Sequence, residues 1–237
     1  MKISIDLSPN FSKKKRKAAE IKFVIIHYTG MQSEIESIIR LKSKKYKVSS
    51  HYIINRKGEV TQLVKDLHIA WHAGKSKWKG FKDLNKDSIG IELVNKGHKF
   101  GYQKFTNFQI KSLVKLCKKL KKKYNISRKN FLGHSDIAPL RKIDPGEKFP
   151  WQKLSNYNLG NWYQLKNINT NLIKKGTSHF FFSNLHKIGY RYFKIYKRTK
   201  TDKTIIEAFQ KKYLPNKVTG KIDQKTLQIS SFLANIR

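Results

Sequence analysis

Residues 22–28 read KFVIIHY, and this short stretch decides the fold. Four consecutive apolar residues, three of them β-branched, make a buried strand, with His27 at its carboxyl end. Working outward, SIGIELVN over 88–95 is a second apolar run that reads as a central strand, yet Glu92 stands in its middle. A carboxylate there is costly unless it faces a polar site. NFLGH, residues 130–134, forms a last short strand that delivers His134. Between these runs the spacing predicts a helix over about 34–46, capped by Ser33 and carrying Ile35, Ile38, Ile39 and Leu41 on one face. HYIINRKGEVTQLV, 51–64, is a hairpin turning at Arg56-Lys57-Gly58-Glu59. A further helix runs from a Thr106 cap to about Tyr124. The order β, α, ββ, β, α, β predicts an α/β fold with a mixed central β-sheet flanked by helices. Residues 68–86, HIAWHAGKSKWKGFKDLNK, show no period and form a long loop of the kind that carries function.

A chain of 237 residues with 38% hydrophobic and 12% aromatic content buries a real core. Its 52 Lys+Arg against 15 Asp+Glu give a formal charge of +37, which attracts any polyanion. The excess is almost all lysine, spread through every segment beside abundant Ile, Asn, Phe and Tyr, as a biased genome composition also produces. No nucleic-acid-binding motif accompanies it, so specific nucleic-acid binding is not expected. The single cysteine, Cys117, excludes an internal disulfide; with Leu113, Leu120 and Tyr124 at helical spacing it reads as a core thiol. No run of about 18 apolar residues exists, so no membrane span is expected. MKISIDLSPNFSKKKRK at the N-terminus lacks the apolar stretch of a secretory signal. If this is the whole gene product, export needs another route.

After Trp162 the character changes. QLKNINTNLIKKGTS, 164–178, reads as a linker, and IGYRYF, TIIEAFQKKYLP and GKIDQKTLQISSFLANI follow as short helices separated by Pro215 and Gly220. This divides the chain into a large domain, 1–168, and a small three-helix unit, 169–237.

Zinc hydrolysis needs about three imidazole or carboxylate ligands and an open position for water. The histidines supply two rival sets. His68 and His72 are four apart, which on a helix puts two imidazoles on one face. The stretch lacks the glutamate that follows the first histidine in metalloprotease helices, and Gly74 argues against a helix. The second set is His27 and His134, each at a strand end, with Asp144 in KIDPG, where Pro145 and Gly146 force a turn back toward His134. Residue types alone leave both sets open.

Six ordered blocks resemble one family: FVIIHYTG, SSHYIINRKGEV, AWHAG, SIGIELVN, GHSDIAPLRKIDPG and FPWQKL, over about residues 20–163. They are similar to the zinc-dependent N-acetylmuramoyl-L-alanine amidases of the AmpD and AmiD type, related to phage lysozyme-type amidases and peptidoglycan-recognition proteins. The resemblance implies one Zn2+ held by His27, His134 and Asp144, with Glu92 as catalytic base and Lys142 as the cation that stabilises the oxyanion. Many phage members place cysteine where Asp144 stands; Asp144 follows the AmpD and AmiD pattern. The implied reaction cleaves the amide between the lactyl group of N-acetylmuramic acid, intact or 1,6-anhydro, and L-alanine of the stem peptide. His51, Trp71, His72 and Trp78 fall in or beside family blocks and are expected to line the substrate groove. The tail, with IGY at 188–190, EAFQKKYLP at 207–215 and GKIDQKT at 220–226, resembles a three-helix peptidoglycan-binding domain, which tethers an enzyme to polymer.

The alternative is a peptidoglycan-binding protein without activity; the complete ligand set and Glu92 argue against it. The expected partner is bacterial peptidoglycan or its muropeptides, whose stem-peptide carboxylates suit the basic surface, and a monomer is the default. The missing signal points to the cytoplasm and recycling, while the tail points to the envelope.

Overall fold

The structure is a computed structural model that describes residues 2–165 and 177–236. Along the chain the strands are β1 (Ser4–Ile5), β2 (Phe11–Lys15), β3 (Phe23–Tyr28), β4 (Tyr52–Ile54), β5 (Val60–Gln62), β6 (His68–Ala70), β7 (Lys77–Trp78), β8 (Phe81–Lys82), β9 (Ser88–Leu93) and β10 (Phe131–Gly133). The helices are α1 (Glu34–Lys42), α2 (Asn107–Tyr124), α3 (His134–Ile137), α4 (Trp151–Ser155), α5 (Thr177–Ile188), α6 (Asp202–Tyr213) and α7 (Gln224–Ala234).

KFVIIHY supplies β3, near the middle of a six-stranded sheet of order β1-β5-β4-β9-β3-β10. β4, β9, β3 and β10 run parallel, so their carboxyl ends open along one edge. β5 returns antiparallel to β4, as the hairpin at Arg56-Glu59 predicts, and makes the sheet mixed. Ligands of open parallel sheets gather outside such carboxyl edges.

Alternation along β3 divides the two faces. Val24 and Ile26, with Ile89, Ile91 and Leu93 of β9, pack on the buried stripe of α2, including Leu113, Leu116, Cys117 and Leu120. Burial pushes the Cys117 thiol up, which keeps it a neutral core group. Thr106 caps α2 by accepting from Gln109 N–H at 3.1 Å, while Gln109 reaches back to Thr106 N–H. The opposite face carries Phe23, Ile25 and His27, in register with Ser88, Gly90 and Glu92. Phe23, Ile25 and Leu132 share one hydrophobic cluster with Phe181, Leu185, Phe209 and Leu227 of the C-terminal helices.

Four expectations are corrected. α1 ends at Lys42, where the Ser43 backbone turns extended, and it packs through Leu41 with Ile38 while Ile35 and Ile39 face solvent. The stretch 68–86 contains β6, β7 and β8: β6 pairs with β2, so the sequence period was hidden by short runs. IGYRYF is no helix; the helix is the aromatic segment before it, α5, and Gly189 turns the chain at φ 142°. His134 does not end a strand but opens α3, just beyond β10. The domain boundary expected at 168/169 lies outside the described residues.

Candidate active site

Parallel pairing sets His27 of β3 opposite Glu92 of β9, at the carboxyl edge and on the same face. Three ring or carboxyl atoms converge there: His27 Nδ1 lies 3.0 Å from His134 Nδ1 and 3.0 Å from Asp144 Oδ2, and the last two are 3.2 Å apart. All three residues are buried. Among the described residues this is the one cluster of its kind that could hold a metal ion. The rival His68 sits on β6, its ring stacked on Phe11 at 4.6 Å, away from the cluster.

The hydrogen bonds around the rings decide where their protons are. His134 Nε2 donates to Ala73 O at 3.1 Å, so its Nδ1 carries a lone pair. His27 Nε2 donates to His72 Nδ1 at 3.0 Å, which leaves the His27 Nδ1 lone pair free as well. His72 Nε2 in turn faces Ser88 Oγ at 3.3 Å, whose hydroxyl donates to Leu84 O. Two lone pairs and a carboxylate oxygen at 3.0–3.2 Å repel one another unless a cation lies between them. Tetrahedral bonds of about 2.0–2.1 Å put ligand atoms about 3.3 Å apart. The triangle fits a metal ion of that size.

Electrostatics follow from burial. Desolvation, helped by the neighbouring His134, lowers His27 to about 4, keeping it neutral and ligand-ready. Burial alone would raise the Asp144 carboxyl, but positive charge or protons on the facing His134 and His27, which take the place of a cation between the three groups, outweigh it and hold it well below the usual carboxylate range. Glu92 is pushed up to about 8 by desolvation and then by the nearby Asp144 charge. Its Oε2 is enclosed and has no hydrogen-bond partner among the described residues. A half-buried carboxyl at a cleft, with one enclosed and unpaired oxygen, is suited to proton transfer.

The cleft above the cluster has a volume of about 710 Å³ and is lined by Trp71, Glu92, Lys142, Arg40 and Phe100 among others. Lys142 reaches it because the chain turns at residues 138–141, with Lys142 N–H donating to Ala138 O at 2.9 Å. The Asp144–Pro145 peptide is cis. Trp71 lines the cleft with its indole N–H held by Ser12 Oγ at 3.1 Å.

Of the expected groove residues, Trp71 and His72 line the cleft, and His51 and Trp78 do not. His51 is fully buried behind the site: its Nδ1 accepts the Gly90 N–H at 3.0 Å, its Nε2 meets His68 O at 3.0 Å, and the buried Arg16 guanidinium lies 2.9 Å away. Burial and then Arg16 lower it to about 3. His72 touches the cleft, but both ring nitrogens are engaged, so it buttresses His27 rather than offering a bond to substrate. Trp78 is 2% exposed and packs at 4.9 Å against Tyr190 of the C-terminal unit, outside the cleft.

Two contributors went unnoticed in the sequence. Arg141 donates to Ala73 O at 2.7 Å, the same carbonyl that orients His134, and nothing in an Arg-Lys pair signals this. Asp136, two residues after His134, is 1% exposed and bonds to Gly133 N–H, Tyr190 and Lys212. An acid in a motif that also holds a ligand is the one clue to it.

The arrangement fits one class, hydrolases that activate water at a three-ligand metal centre. Comparison with known proteins gives the particular family. Residues 17–147 match the family model for N-acetylmuramoyl-L-alanine amidase. AmiD of Escherichia coli (strain K12) is 35% identical over 230 residues, covering 90% of this chain and 82% of that protein. The 1,6-anhydro-N-acetylmuramyl-L-alanine amidase AmpD of Haemophilus influenzae is 34% identical, covering 62% of this chain and 86% of its own length. In structure, E. coli AmiD in complex with anhydro-N-acetylmuramic acid-L-Ala-D-gamma-Glu-L-Lys superposes with a TM-score of 0.80 at 33% identity, over 93% of this chain and 92% of that one. The chain belongs to the N-acetylmuramoyl-L-alanine amidase family and is an enzyme of that activity.

Proposed function

We propose that this chain hydrolyses the amide between the lactyl group of N-acetylmuramic acid, intact or 1,6-anhydro, and L-alanine of the stem peptide, with one Zn2+ held by His27 Nδ1, His134 Nδ1 and Asp144. The observation that carries the reading is the convergence of three lone-pair atoms at 3.0–3.2 Å beside the unpaired Glu92 carboxyl. Zinc, when bound, supplies a Lewis acid that polarises the amide carbonyl and brings the pKa of water down to near 7.

The protein's own groups do the rest. Glu92, on the strand beside His27, takes a proton from the attacking water and returns it to the leaving alanine amine. Its high proton affinity suits both halves of that transfer. Lys142, which lines the same cleft, places a positive charge where the oxyanion develops. Trp71 offers a flat apolar face to the sugar or peptide, and Arg40 and Lys99 face the cleft with charge suited to a carboxylate. The C-terminal helices, read as a wall-binding unit from residue 169 onward, keep the enzyme at its polymer. The fold shared, at a TM-score of 0.80, with a relative solved in complex with anhydro-N-acetylmuramic acid-L-Ala-D-gamma-Glu-L-Lys supports this substrate class.

The test is incubation of purified protein with anhydro- and intact muropeptides, with and without chelator. Free stem peptide is expected only from the metal-loaded protein. No release by that protein overturns the reading.

A further inference from the structure

Asp136 is a carboxylate buried inside the turn that bears His134. Its Oδ2 accepts from Gly133 N–H at 2.7 Å and from Lys212 Nζ at 2.5 Å, and its Oδ1 accepts from the Tyr190 hydroxyl at 2.5 Å. Lys212 and Tyr190 both come from the C-terminal unit, 76 and 54 residues away, and are 4% and 0% exposed. Thus the cation facing a buried anion of the catalytic domain is supplied by the other unit. Lys212 Nζ also sits 4.2 Å from the centroid of Trp151, which fixes it from a second side.

The turn held by Asp136 is the one that aims a ligand. Gly133 ends β10, His134 opens α3, and Ser135 N–H donates to Asp144 O at 2.9 Å, so α3 also grips the segment of the third ligand. A side chain at Gly133 would meet Pro145 Cδ at 2.8 Å, so β10 and the Asp144–Pro145 turn are in close contact. Movement of α3 therefore displaces His134 and Asp144 together. Removing one partner of a buried ion pair leaves an uncompensated charge, and the turn must open to water to relieve it.

We propose that Asp136 and Lys212 form a positioning pair through which the C-terminal helical unit holds the His134 turn, making that unit part of the metal site and not a tether alone. The inference rests on the zinc reading of His27, His134 and Asp144. It predicts that zinc affinity, and not only stability, depends on a residue of the C-terminal helices.

The test uses full-length protein and zinc dissociation constants from competition with a chromophoric chelator. Lys212→Met is expected to weaken zinc at least tenfold, in the range found for groups that orient metal ligands. Asp136→Asn combined with Lys212→Met removes both charges and is expected to recover zinc to within about threefold of wild type. Leu227→Ala, which loosens the same helices without touching the pair, controls for stability and is expected to leave zinc affinity unchanged. Zinc affinity unchanged in Lys212→Met, or weakened equally in Leu227→Ala at matched loss of Tm, overturns the proposal. If Lys212→Met does not fold, Tyr190→Phe carries the test, with about threefold weaker zinc expected and no change contradicting it. A wild type that binds no zinc, with His134→Ala indistinguishable from it, overturns the metal reading itself.

Discussion

His27 Nε2 lies 3.0 Å from His72 Nδ1, and this contact settles which nitrogen of His27 faces the cleft. The proton sits between the two rings, so the His27 Nδ1 lone pair points at His134 and Asp144. His72→Ala removes the acceptor and lets the ring rotate or change tautomer. Zinc affinity is expected to fall about 10–100-fold with the fold intact by circular dichroism. Competition titration measures the loss.

Gly90 is what makes room for that contact. A Cβ there would stand 2.4 Å from His72 Cγ and 2.6 Å from Cδ2. Gly90→Ala is expected to cost about 1–3 kcal/mol by overpacking and to weaken zinc through displacement of His72. Denaturant unfolding of metal-free protein gives the first number, and the zinc titration the second.

Glu92 carries a stability cost that depends on pH. Its folded-state value is raised from 4.5 to about 8, so between these limits the folded protein holds a proton that the unfolded chain has released. Stability of the metal-free protein therefore falls as pH rises across that window. Glu92→Gln has no such charge to bury. Its gain over wild type is expected to grow from near zero at pH 4.5 to on the order of 2 kcal/mol at pH 8, less than the full shift because the carboxyl meets the cleft. In the same variant kcat is expected to drop about 10²–10⁴-fold while zinc affinity changes little. Thermal melts at the two pH values, together with stem-peptide release, measure both.

His27 and Glu92, toward the carboxyl ends of β3 and β9, were legible because β-branched runs mark buried strands and because a carboxylate violates one of them. His27, His134 and Asp144 come together in one buried group, and Glu92 stands opposite His27 on the neighbouring strand. What could not be read depends on partners distant in sequence. His51 looks like a groove residue until Arg16, His68 and Gly90 close around it. Asp136 looks like a turn former until Lys212 arrives from 76 residues away. The α5 helix was missed because its first residues, Thr177 and Ser178, fall at the end of a polar stretch that reads as a linker, and Trp78 was misread because its face meets Tyr190 instead of the cleft.

Trp78 tests that correction. A Cβ at Gly189 would stand 2.4 Å from its Cε2, so the indole is wedged between the two units. Trp78→Ala is expected to cost about 3–5 kcal/mol in denaturant unfolding, with KM for muropeptide unchanged in the folded protein. A raised KM without loss of stability would return Trp78 to the groove.

The central claim is that His27 Nδ1, His134 Nδ1 and Asp144 hold one zinc ion beside Glu92. Anomalous diffraction at the zinc edge from metal-loaded crystals tests it directly. One peak bonded to those three atoms, at about 2.0–2.2 Å from each and open toward the cleft, is the predicted result. A peak on His68 and His72, or none at the triad in protein that cleaves muropeptide, would contradict it.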